Sequence, residues 1–241
     1  MIKRLVGNFI DILYPKTCHL CHHQLKSNHL DNLICMDCWL KIKKNQPPFC
    51  LRCGRSLSSH RLGKNICVAC QRLNFHFDRA LSPCAYEGVL KELISQFKYQ
   101  GKDYLSKTLS RLLLNFIEEY DLPFQLFDLV MPVPLHKRKL REREFNQARL
   151  LSEELAAKLK LKLTGNGLIR IRDTATQTEL NERERWINMQ GSFTVKEEGK
   201  LKGKNILLID DVLTTGATCS EAARVLKKAG CGVVFVLTVA N

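Results

Sequence analysis

The chain has 241 residues, of which 45% are hydrophobic, so it is long enough for one large domain or two modest domains that each bury a core. Its apolar runs all fall short of the ~20 residues that a transmembrane helix needs, which excludes that kind of membrane span. The formal net charge is +14 at pH 7, and residues 1–80 hold 13 Lys and Arg against 4 Asp and Glu. Such a basic end favours nucleic acid or another polyanion as a partner, although a surface that only aids solubility would also be basic.

The N-terminal residues predict a short amphipathic helix over 1–16. Asn8 and Asp11 interrupt the apolar run, and no small-residue cleavage site follows, which argues against a secretory signal peptide. We therefore expect a cytoplasmic protein. The helix is expected to pack on the protein itself, with contact to a membrane surface as the alternative. The apolar residues that share one helical face are Leu5, Val6, Phe9, Ile10 and Leu13.

Segment 17–76 contains a tandem cysteine repeat, which predicts a double zinc ribbon with one ribbon in each half. Each half has the spacing C-x2-C-x13-C-x2-C, which is typical of a four-thiolate zinc site. We expect two structural Zn²⁺ ions, because closed four-thiolate sites leave no position for water. Sequential pairing within each half follows from the duplication, and a cross-braced pairing is the alternative. The cysteines are Cys18, Cys21, Cys35 and Cys38 in the first half, and Cys50, Cys53, Cys67 and Cys70 in the second.

The zinc segment has few large apolar residues besides Trp39 and Phe49, so metal binding should supply much of its folding free energy. Gly54, directly after a cysteine pair, is expected to take the positive φ that such turns often need. The remaining cysteines are most simply small buried residues; they are Cys84, Cys219 and Cys231.

Residues 77–241 alternate between strand-like and helix-like patterns, which predicts an α/β domain with a parallel sheet flanked by helices. We expect a strand over Ala80–Tyr86 and helices over Val89–Phe97 and Tyr104–Tyr120. The segment Phe97–Lys102 between these helices carries two cations beside a glycine, and it suits a solvated loop and a functional loop equally well.

A core strand over Phe127–Pro134 runs into a basic segment, Leu135–Ala148, which is expected to be a loop before a helix over Arg149–Leu159. Ligands of open α/β sheets bind beyond the carboxyl ends of the strands, so this loop should stand near the ligand. Its cations would suit a pyrophosphate group or a nucleic-acid backbone. The candidates for nucleic-acid contact are Lys137, Arg138, Lys139 and Arg141.

Residues 172–193 are polar and lack a clean period, and loops of this length in a compact domain are usually lids or disordered. We call this segment the hood. A hood that excludes water would suit transfer of a glycosyl group, because the reacting carbon must meet its acceptor before it meets water.

The apolar run Ile206–Ile209 predicts a strand buried on both faces, followed by Asp210 and Asp211, a tight turn and a helix over Ser220–Lys228. A turn of hydroxyls and free backbone N–H groups at a helix N-terminus is a site for phosphate. Carboxylates beside it would repel phosphate unless they face something else, and ribose hydroxyls meet that need. The pattern therefore predicts a site for a sugar 5-phosphate, with an ordinary strand-turn-helix as the alternative.

This stretch resembles the 5-phosphoribosyl-1-pyrophosphate (PRPP) signature of type I phosphoribosyltransferases. The resemblance implies that Asp210 and Asp211 bind the ribose hydroxyls, and that the turn binds the 5-phosphate. The turn residues are Thr214, Thr215, Gly216, Ala217 and Thr218.

Nearly the whole chain resembles the ComF (ComFC, GntX-like) competence family. By that resemblance, Arg143 faces pyrophosphate, and Gln177 and Arg183 belong to a mobile hood. Glu144 departs from the family, which commonly has glycine there, so a close approach of pyrophosphate to that turn is in question. Besides the cysteine repeat and the PRPP turn, the resemblance rests on Phe97-Lys98-Tyr99 with Gly101, Pro132-Val133-Pro134 through Asn146-Gln147-Ala148, and Thr176-Gln177 with Leu180, Arg183 and Asn188.

The resemblance implies a cytoplasmic role in natural transformation, in which the protein handles incoming single-stranded DNA with a competence helicase or other DNA-processing proteins. The sequence lacks a G-x-x-x-x-G-K-[ST] run, so translocation would need a separate ATPase. The site would bind PRPP or a related phosphosugar with Mg²⁺. If it is catalytic, Asp210, Asp211 and Arg143 are the candidate residues. The alternatives are a metabolic phosphoribosyltransferase with an unknown small-molecule acceptor, and a module that senses PRPP or a nucleotide without turnover.

Overall fold

The structure is a computed structural model, and it describes residues 16–25, 32–57, 65–174 and 181–241. The expected N-terminal helix over 1–16 lies outside the described residues except for its last position, and so does Gln177 of the hood. Every helix in the described parts of the chain is too short or too polar to cross a membrane.

Helices and strands alternate from residue 79 onward, as the sequence predicts for this part of the chain. Within the described residues the helices are α1 (Met36–Leu40), α2 (Val68–Arg72), α3 (Gly88–Tyr99), α4 (Leu105–Glu119), α5 (Lys137–Arg143), α6 (Gln147–Leu159), α7 (Glu182–Met189) and α8 (Ala217–Lys228). The strands are β1 (Arg79–Leu81), β2 (Leu129–Pro132), β3 (Lys162–Leu163), β4 (Leu168–Arg170), β5 (Phe193–Val195), β6 (Ile206–Val212) and β7 (Val234–Ala240).

Five parallel strands form the central sheet in the order β1-β7-β6-β2-β3. Strand β6 lies in the middle, and its residues Ile206–Ile209 are fully buried because helices cover both faces. The predicted buried strand is confirmed. Strand β7 was not among the predicted elements, although its run of β-branched and aromatic residues is typical of a strand.

One face of the sheet packs against α3, α4 and α6 through residues such as Leu93, Leu109 and Leu151. Leu207 and Ile209 of β6 point into this core. The buried residues of the first zinc ribbon, which contains Cys18 to Cys38, are continuous with this core. The ribbon therefore packs on the α/β domain and shares its hydrophobic core.

The other face packs against α8, β5 and α7, with Ala222 and Met189 in the core. Ile206 and Leu208 of β6 point to this side, as the two-residue period of a strand requires. Cys50 and Cys70 of the second zinc ribbon belong to this core. The two ribbons therefore attach to opposite faces of one sheet.

Two segments that the sequence assigned to loops contain helices. Residues Lys137–Arg143 form α5, whose N-cap His136 accepts a hydrogen bond from the backbone N–H of Arg138 at 3.4 Å. This helix has no buried residue, so it lacks the periodic apolar residues by which a helix is recognised in a sequence. In the hood, α7 begins at a reciprocal capping box between Asn181 and Glu184. That Asn-x-x-Glu signal was present in the sequence.

Strands β4 and β5 form an antiparallel pair outside the main sheet, with Leu168 opposite Val195 and Arg170 opposite Phe193. Helix α7 lies between them in sequence and packs on α8. The described part of the hood therefore forms, with β4 and β5, a small subdomain at the carboxyl ends of β2 and β6.

Glu144 ends α5 in the left-handed region, at φ 66°. A residue with a Cβ is strained there, and glycine is not. The glycine that the competence family commonly has at this position would suit this backbone.

We predict that Glu144→Gly will be neutral or will stabilise the fold by up to about 1 kcal/mol, since relief of strain offsets the greater freedom of glycine in the unfolded chain. Arg141→Gly in the interior of α5 should instead cost about 1 kcal/mol. Urea denaturation of both variants measures this. Equal destabilisation by the two substitutions would contradict a strained turn at Glu144.

Candidate functional site

The eight repeat cysteines form two clusters, each with its four Sγ atoms within 4.8 Å of one another. The pairing is sequential: Cys18, Cys21, Cys35 and Cys38 form one cluster, and Cys50, Cys53, Cys67 and Cys70 form the other. The four sulfurs of each cluster come from one half of the repeat, as the predicted sequential pairing requires and the cross-braced alternative does not. The described histidines next to the first cysteine pair do not belong to either cluster of possible metal ligands.

The clusters fit a tetrahedral zinc ion. Sulfur atoms at about 2.3 Å from zinc lie about 3.8 Å apart. The Sγ atoms of Cys21 and Cys35 are 3.5 Å apart, and those of Cys53 and Cys67 are 3.6 Å apart. Backbone N–H groups also point at the sulfurs, as from Cys67 to Cys50 at 3.3 Å, which stabilises thiolates. Four sulfurs close each site, so the ions would be structural.

We predict that the purified chain will carry two zinc ions, and that Cys38→Ser and Cys70→Ser will each lose one, because each substitution removes a ligand from a separate cluster. Metal analysis of the native chain and both variants measures this. Loss of both ions from either variant would contradict independent clusters.

The acid pair stands at the carboxyl end of the central strand. The backbone N–H of Asp211 donates to Oδ1 of Asp210 at 2.9 Å, which fixes the two carboxylates relative to each other. Lys98 Nζ lies 2.8 Å from Asp211 Oδ1, and the two side chains are only 17% and 11% exposed. Lys98 comes from the last turn of α3, in the segment that the sequence left open between a solvated and a functional loop. The structure places it in the site.

Burial and, after it, the neighbouring charge of Asp211 raise the pKa of Asp210 to about 7, against the opposing effects of Lys98, the backbone N–H of Asp211 and Arg170. For Lys98, burial is the largest effect and lowers the pKa, but the charge and hydrogen bond of Asp211 together with the charges of Asp210 and Tyr86 outweigh it, and the net direction is upward. The two aspartates therefore differ: Asp211 pairs with Lys98, and Asp210 titrates near neutral pH.

Cations surround the acid pair in a cavity of about 430 Å³. Arg143 lies over the ring of Tyr99 at 4.9 Å, and it donates to Gln147 Oε1 at 3.3 Å. Lys139 lies beside it, and burial together with the charges of Arg170 and Arg143 lowers the pKa of Lys139. Such mutual repulsion is relieved by an anion. The cations that line the cavity are Lys91, Lys98, Lys139, Arg143, Arg170 and Arg185.

Arg170 is a buried guanidinium at the end of β4, only 8% exposed. It donates to Thr174 Oγ1 and lies over the ring of Phe193 at 5.6 Å. Its Nε has no hydrogen-bond partner within the described residues. Burial lowers the pKa of Arg170, and Asp210 opposes that shift, which indicates that the two charges face the same cavity.

The phosphate loop, Thr214 to Thr218, leads from β6 into α8. Gly216 is the N-cap of α8 and has φ 79°, a conformation that favours glycine. The N-terminus of a helix offers free N–H groups and a positive dipole end to an anion. Thr214 and Thr218 line the same cavity as the acid pair, so phosphate and ribose groups of one ligand could reach both.

The structure brings some predicted residues to the cavity and leaves others outside it. Lys139 and Arg143 line it, whereas Arg138 is exposed and pairs with Glu142 and Asp173. Lys137 and Arg141 are exposed on α5, and Arg183 is exposed on α7.

Four cations of the cavity were missing from the predicted site: Lys91, Lys98, Arg170 and Arg185. Lys98 carried a signal, since it stands three residues before Gly101 in the cationic segment Phe97–Lys102. Arg185 lies on α7, and its Nη1 donates to Thr214 Oγ1 at 3.4 Å. Arg170 carried no local signal, because only the fold turns its side chain inward.

Cys219 is buried in the first part of α8, and its Sγ lies 3.7 Å from Asp210 Oδ2. Burial raises the pKa of this thiol well above its usual value, and so does the charge of Asp210. It is therefore a neutral donor to the carboxylate, in line with the expectation of a buried structural cysteine.

We predict that Asp210→Asn will raise the stability of the ligand-free protein above pH 7, by an amount on the order of 1–3 kcal/mol, because it removes a buried charge. The gain should shrink as the pH falls from 7 toward 4, since the native state then holds a proton on Asp210 that the unfolded state releases. Urea denaturation at several pH values measures it.

Asp211→Asn serves as the matched variant and should destabilise the protein by roughly 1–3 kcal/mol at pH 7, because it leaves Lys98 buried without its partner. Equal effects of the two substitutions would contradict the division of roles between the aspartates.

Two family models match the chain. A double zinc ribbon domain covers residues 9–71, and a phosphoribosyl transferase domain covers residues 146–241. Together with the parallel sheet and the paired cysteine clusters, these matches define the class: a phosphoribosyltransferase-fold α/β domain preceded by a double zinc ribbon.

Relatives of this class are similar over most of the chain. Competence protein F of Haemophilus influenzae is 30% identical, covering 87% of this chain and 91% of that protein. The DNA utilization protein YhgH of Escherichia coli K12 is 31% identical over 92% of this chain and 95% of its own length. Competence protein ComFC of Bacillus subtilis is 33% identical over 83% and 80%. The chain belongs to the ComF competence family, as its motifs predict.

Proposed function

We propose that the α/β domain binds PRPP, or a closely related phosphosugar, together with Mg²⁺, and that the protein uses this domain in handling single-stranded DNA during natural transformation. One observation carries the ligand assignment. A buried pair of carboxylates and a helix N-terminus with a hydroxyl-rich loop line one cavity whose other walls are cationic.

The ribose would lie against the acid pair. Its hydroxyls can donate to Asp210 and Asp211, while the 5-phosphate accepts from the backbone N–H groups of the phosphate loop. A ligand that binds Asp211 must compensate for disruption of the Lys98–Asp211 ion pair, in which Nζ and Oδ1 are 2.8 Å apart in the free site. A ligand that brings hydroxyl donors and a cation can do so, and a simple anion cannot.

The pyrophosphate would lie toward Lys139 and Arg143, whose mutual repulsion favours an anion. Mg²⁺ prefers oxygen ligands, so the acid pair would help to hold it, and the ion would supply positive charge to the pyrophosphate. For transfer of the phosphoribosyl group, Arg143 would neutralise the departing pyrophosphate, and the acid pair would hold the ribose in place.

Calorimetry with PRPP and Mg²⁺ tests this assignment. The native chain should bind, and the Asp210→Asn/Asp211→Asn double variant should bind at least tenfold more weakly, since it keeps the shape but loses both charges. Asp103→Asn, which replaces one exposed carboxylate beyond α3 by an amide, is the control and should bind as the native chain does. Equal binding by all three chains would remove the acid pair from the site.

We also predict that binding releases protons below pH 7. The pKa of Asp210 is raised to about 7 in the free site, and ribose hydroxyls and Mg²⁺ would favour its ionised form. Affinity should therefore increase with pH up to about 7 and then level off. Calorimetry in buffers with different ionisation enthalpies measures the released proton. A pH-independent affinity would contradict the role of Asp210.

The DNA-handling part of the proposal is supported by the basic charge of the chain and by the names of its relatives. The basic excess of the chain favours a polyanion. Relatives named for competence and for DNA utilization cover most of the chain. Lys137 and Arg141 are exposed on α5, the helix that also carries Lys139 and Arg143 of the cavity wall. In this proposal the protein acts in the cytoplasm, and a separate helicase supplies translocation, because the sequence lacks a nucleotide-binding P-loop motif.

We predict that the chain binds a labelled oligo-dT strand, and that log K falls steeply with log salt as counterions are released. Lys137→Ala/Arg141→Ala should reduce the slope by about 1.4, because each lost phosphate contact on a single strand contributes about 0.7.

Lys202→Ala/Lys228→Ala changes the same charge at the other end of the sheet and is the matched control. Fluorescence anisotropy at several salt concentrations measures the slopes. No binding near physiological salt would count against DNA handling and favour a metabolic phosphoribosyltransferase.

A further inference from the structure

The second zinc ribbon contacts the phosphate loop directly. Arg55 stands two residues after the zinc ligand Cys53, and its Nη2 donates to the backbone carbonyl of Thr214 at 2.8 Å. The two groups are 159 residues apart in sequence, so the fold alone brings them together. The cavity between them is lined by residues of the ribbon and of the loop, among them Cys70 and Gly216.

This hydrogen bond fixes the orientation of one peptide plane. In a trans peptide, the carbonyl and the N–H point in opposite directions. When Arg55 holds the Thr214 carbonyl toward the ribbon, the N–H of Thr215 in the same peptide points away from the ribbon. A loop that binds phosphate through its backbone needs N–H groups turned toward the ligand and carbonyls turned away from it.

The segment that leaves the ribbon supports the same loop from a second side. The ring of Phe75 lies so close to Gly216 that a Cβ at residue 216 would be 2.5 Å from Phe75 Cε1. Phe75 stacks on Phe77 with ring centroids 4.7 Å apart, which holds the ring in place. The next residue, His76, donates its backbone N–H to Ser220 Oγ in the first turns of α8 at 3.1 Å.

The ribbon itself is tied to the end of the sheet. The N–H of Ala80 donates to the carbonyl of Arg52 at 2.7 Å, and Asn241 Nδ2 donates to the carbonyl of Cys53 at 3.1 Å. Gly54 has φ 71° and packs against the backbone of β1, as its predicted positive φ requires. The zinc knuckle that carries Arg55 is therefore held at a fixed place beside the loop.

The first ribbon makes different contacts. It joins the core on the other face of the sheet, and the carbonyl of His19 accepts from Gln96 of α3 at 3.1 Å. The two halves of the cysteine repeat are alike in spacing and unlike in what they support.

We propose that the second zinc ribbon is a structural part of the sugar-phosphate site, and that Arg55 is the positioning residue that transmits the folding of this ribbon to the phosphate loop. This inference rests on the proposed binding of PRPP. Specifically, Arg55 and Phe75 hold the loop in the conformation that binds phosphate. Loss of either contact therefore weakens the binding of PRPP, although neither residue contacts the ligand.

Hydrogen exchange and calorimetry on the full-length chain test the proposal. In Arg55→Ala, the amides of residues 214–217 should exchange at least fivefold faster, and the Kd for PRPP with Mg²⁺ should rise at least fivefold. Arg55→Lys keeps a donor and should give intermediate values for both. Arg72→Ala removes an equal charge from the exposed last turn of the same ribbon's α2, and it should match the native chain.

Zinc content measured on each variant separates positioning from unfolding of the ribbon. If Arg55→Ala keeps both ions and shows faster exchange and weaker binding, the proposal stands. If Arg55→Ala loses zinc, Phe75→Leu must show the same faster exchange and weaker binding with both ions in place, or the proposal fails. Unchanged exchange and affinity in a zinc-loaded Arg55→Ala chain overturn it.

Failure of the native chain to bind PRPP would instead defeat the proposed function. The exchange rates would still decide whether Arg55 holds the loop, because that measurement needs no ligand.

Discussion

The ion pair between Lys98 and Asp211 is the interaction on which the site depends. It joins the end of α3 to the end of β6, and it allows two adjacent carboxylates to sit in a largely buried place. Without the lysine, less positive charge would oppose burial and the repulsion from Asp211, and the pKa of Asp210 would rise further. With the lysine in place, Asp211 is held in an ion pair, and Asp210 titrates near neutral pH. The free site is thus poised for a ligand that brings hydroxyl donors and positive charge.

The parallel arrangement of the strands explains why the elements around the acid pair meet at one place. Parallel strands end at one edge of the sheet, so β2 and β6 deliver a basic helix and a phosphate loop to the same cavity. Arg170 of β4 and Arg185 of the hood close the third side. The second zinc ribbon lies outside this cavity, where Arg55 holds the phosphate loop, and its core is continuous with that of α8. In our proposal, this metal-binding module is therefore part of the architecture of the ligand site.

Local signals predicted the parts of the molecule that short spacing defines. The cysteine repeat, the buried strand with its acid pair and the tight turn that contains Gly216 each depend on neighbours in sequence. What the sequence could not predict depends on pairing across the fold. Lys98 finds Asp211 more than a hundred positions away, and Arg55 finds Thr214 across a similar distance. Helix α5 was missed for another reason: it buries no side chain, so no apolar period marks it.

A crystal structure of the chain with PRPP and Mg²⁺ tests the central claim most directly. We expect the ribose hydroxyls to bind Asp210 and Asp211, the 5-phosphate to accept hydrogen bonds from backbone N–H groups of the loop from Thr214 to Thr218, and the pyrophosphate to lie beside Arg143. A ligand bound elsewhere, with the acid pair and Lys98 unchanged, would contradict it.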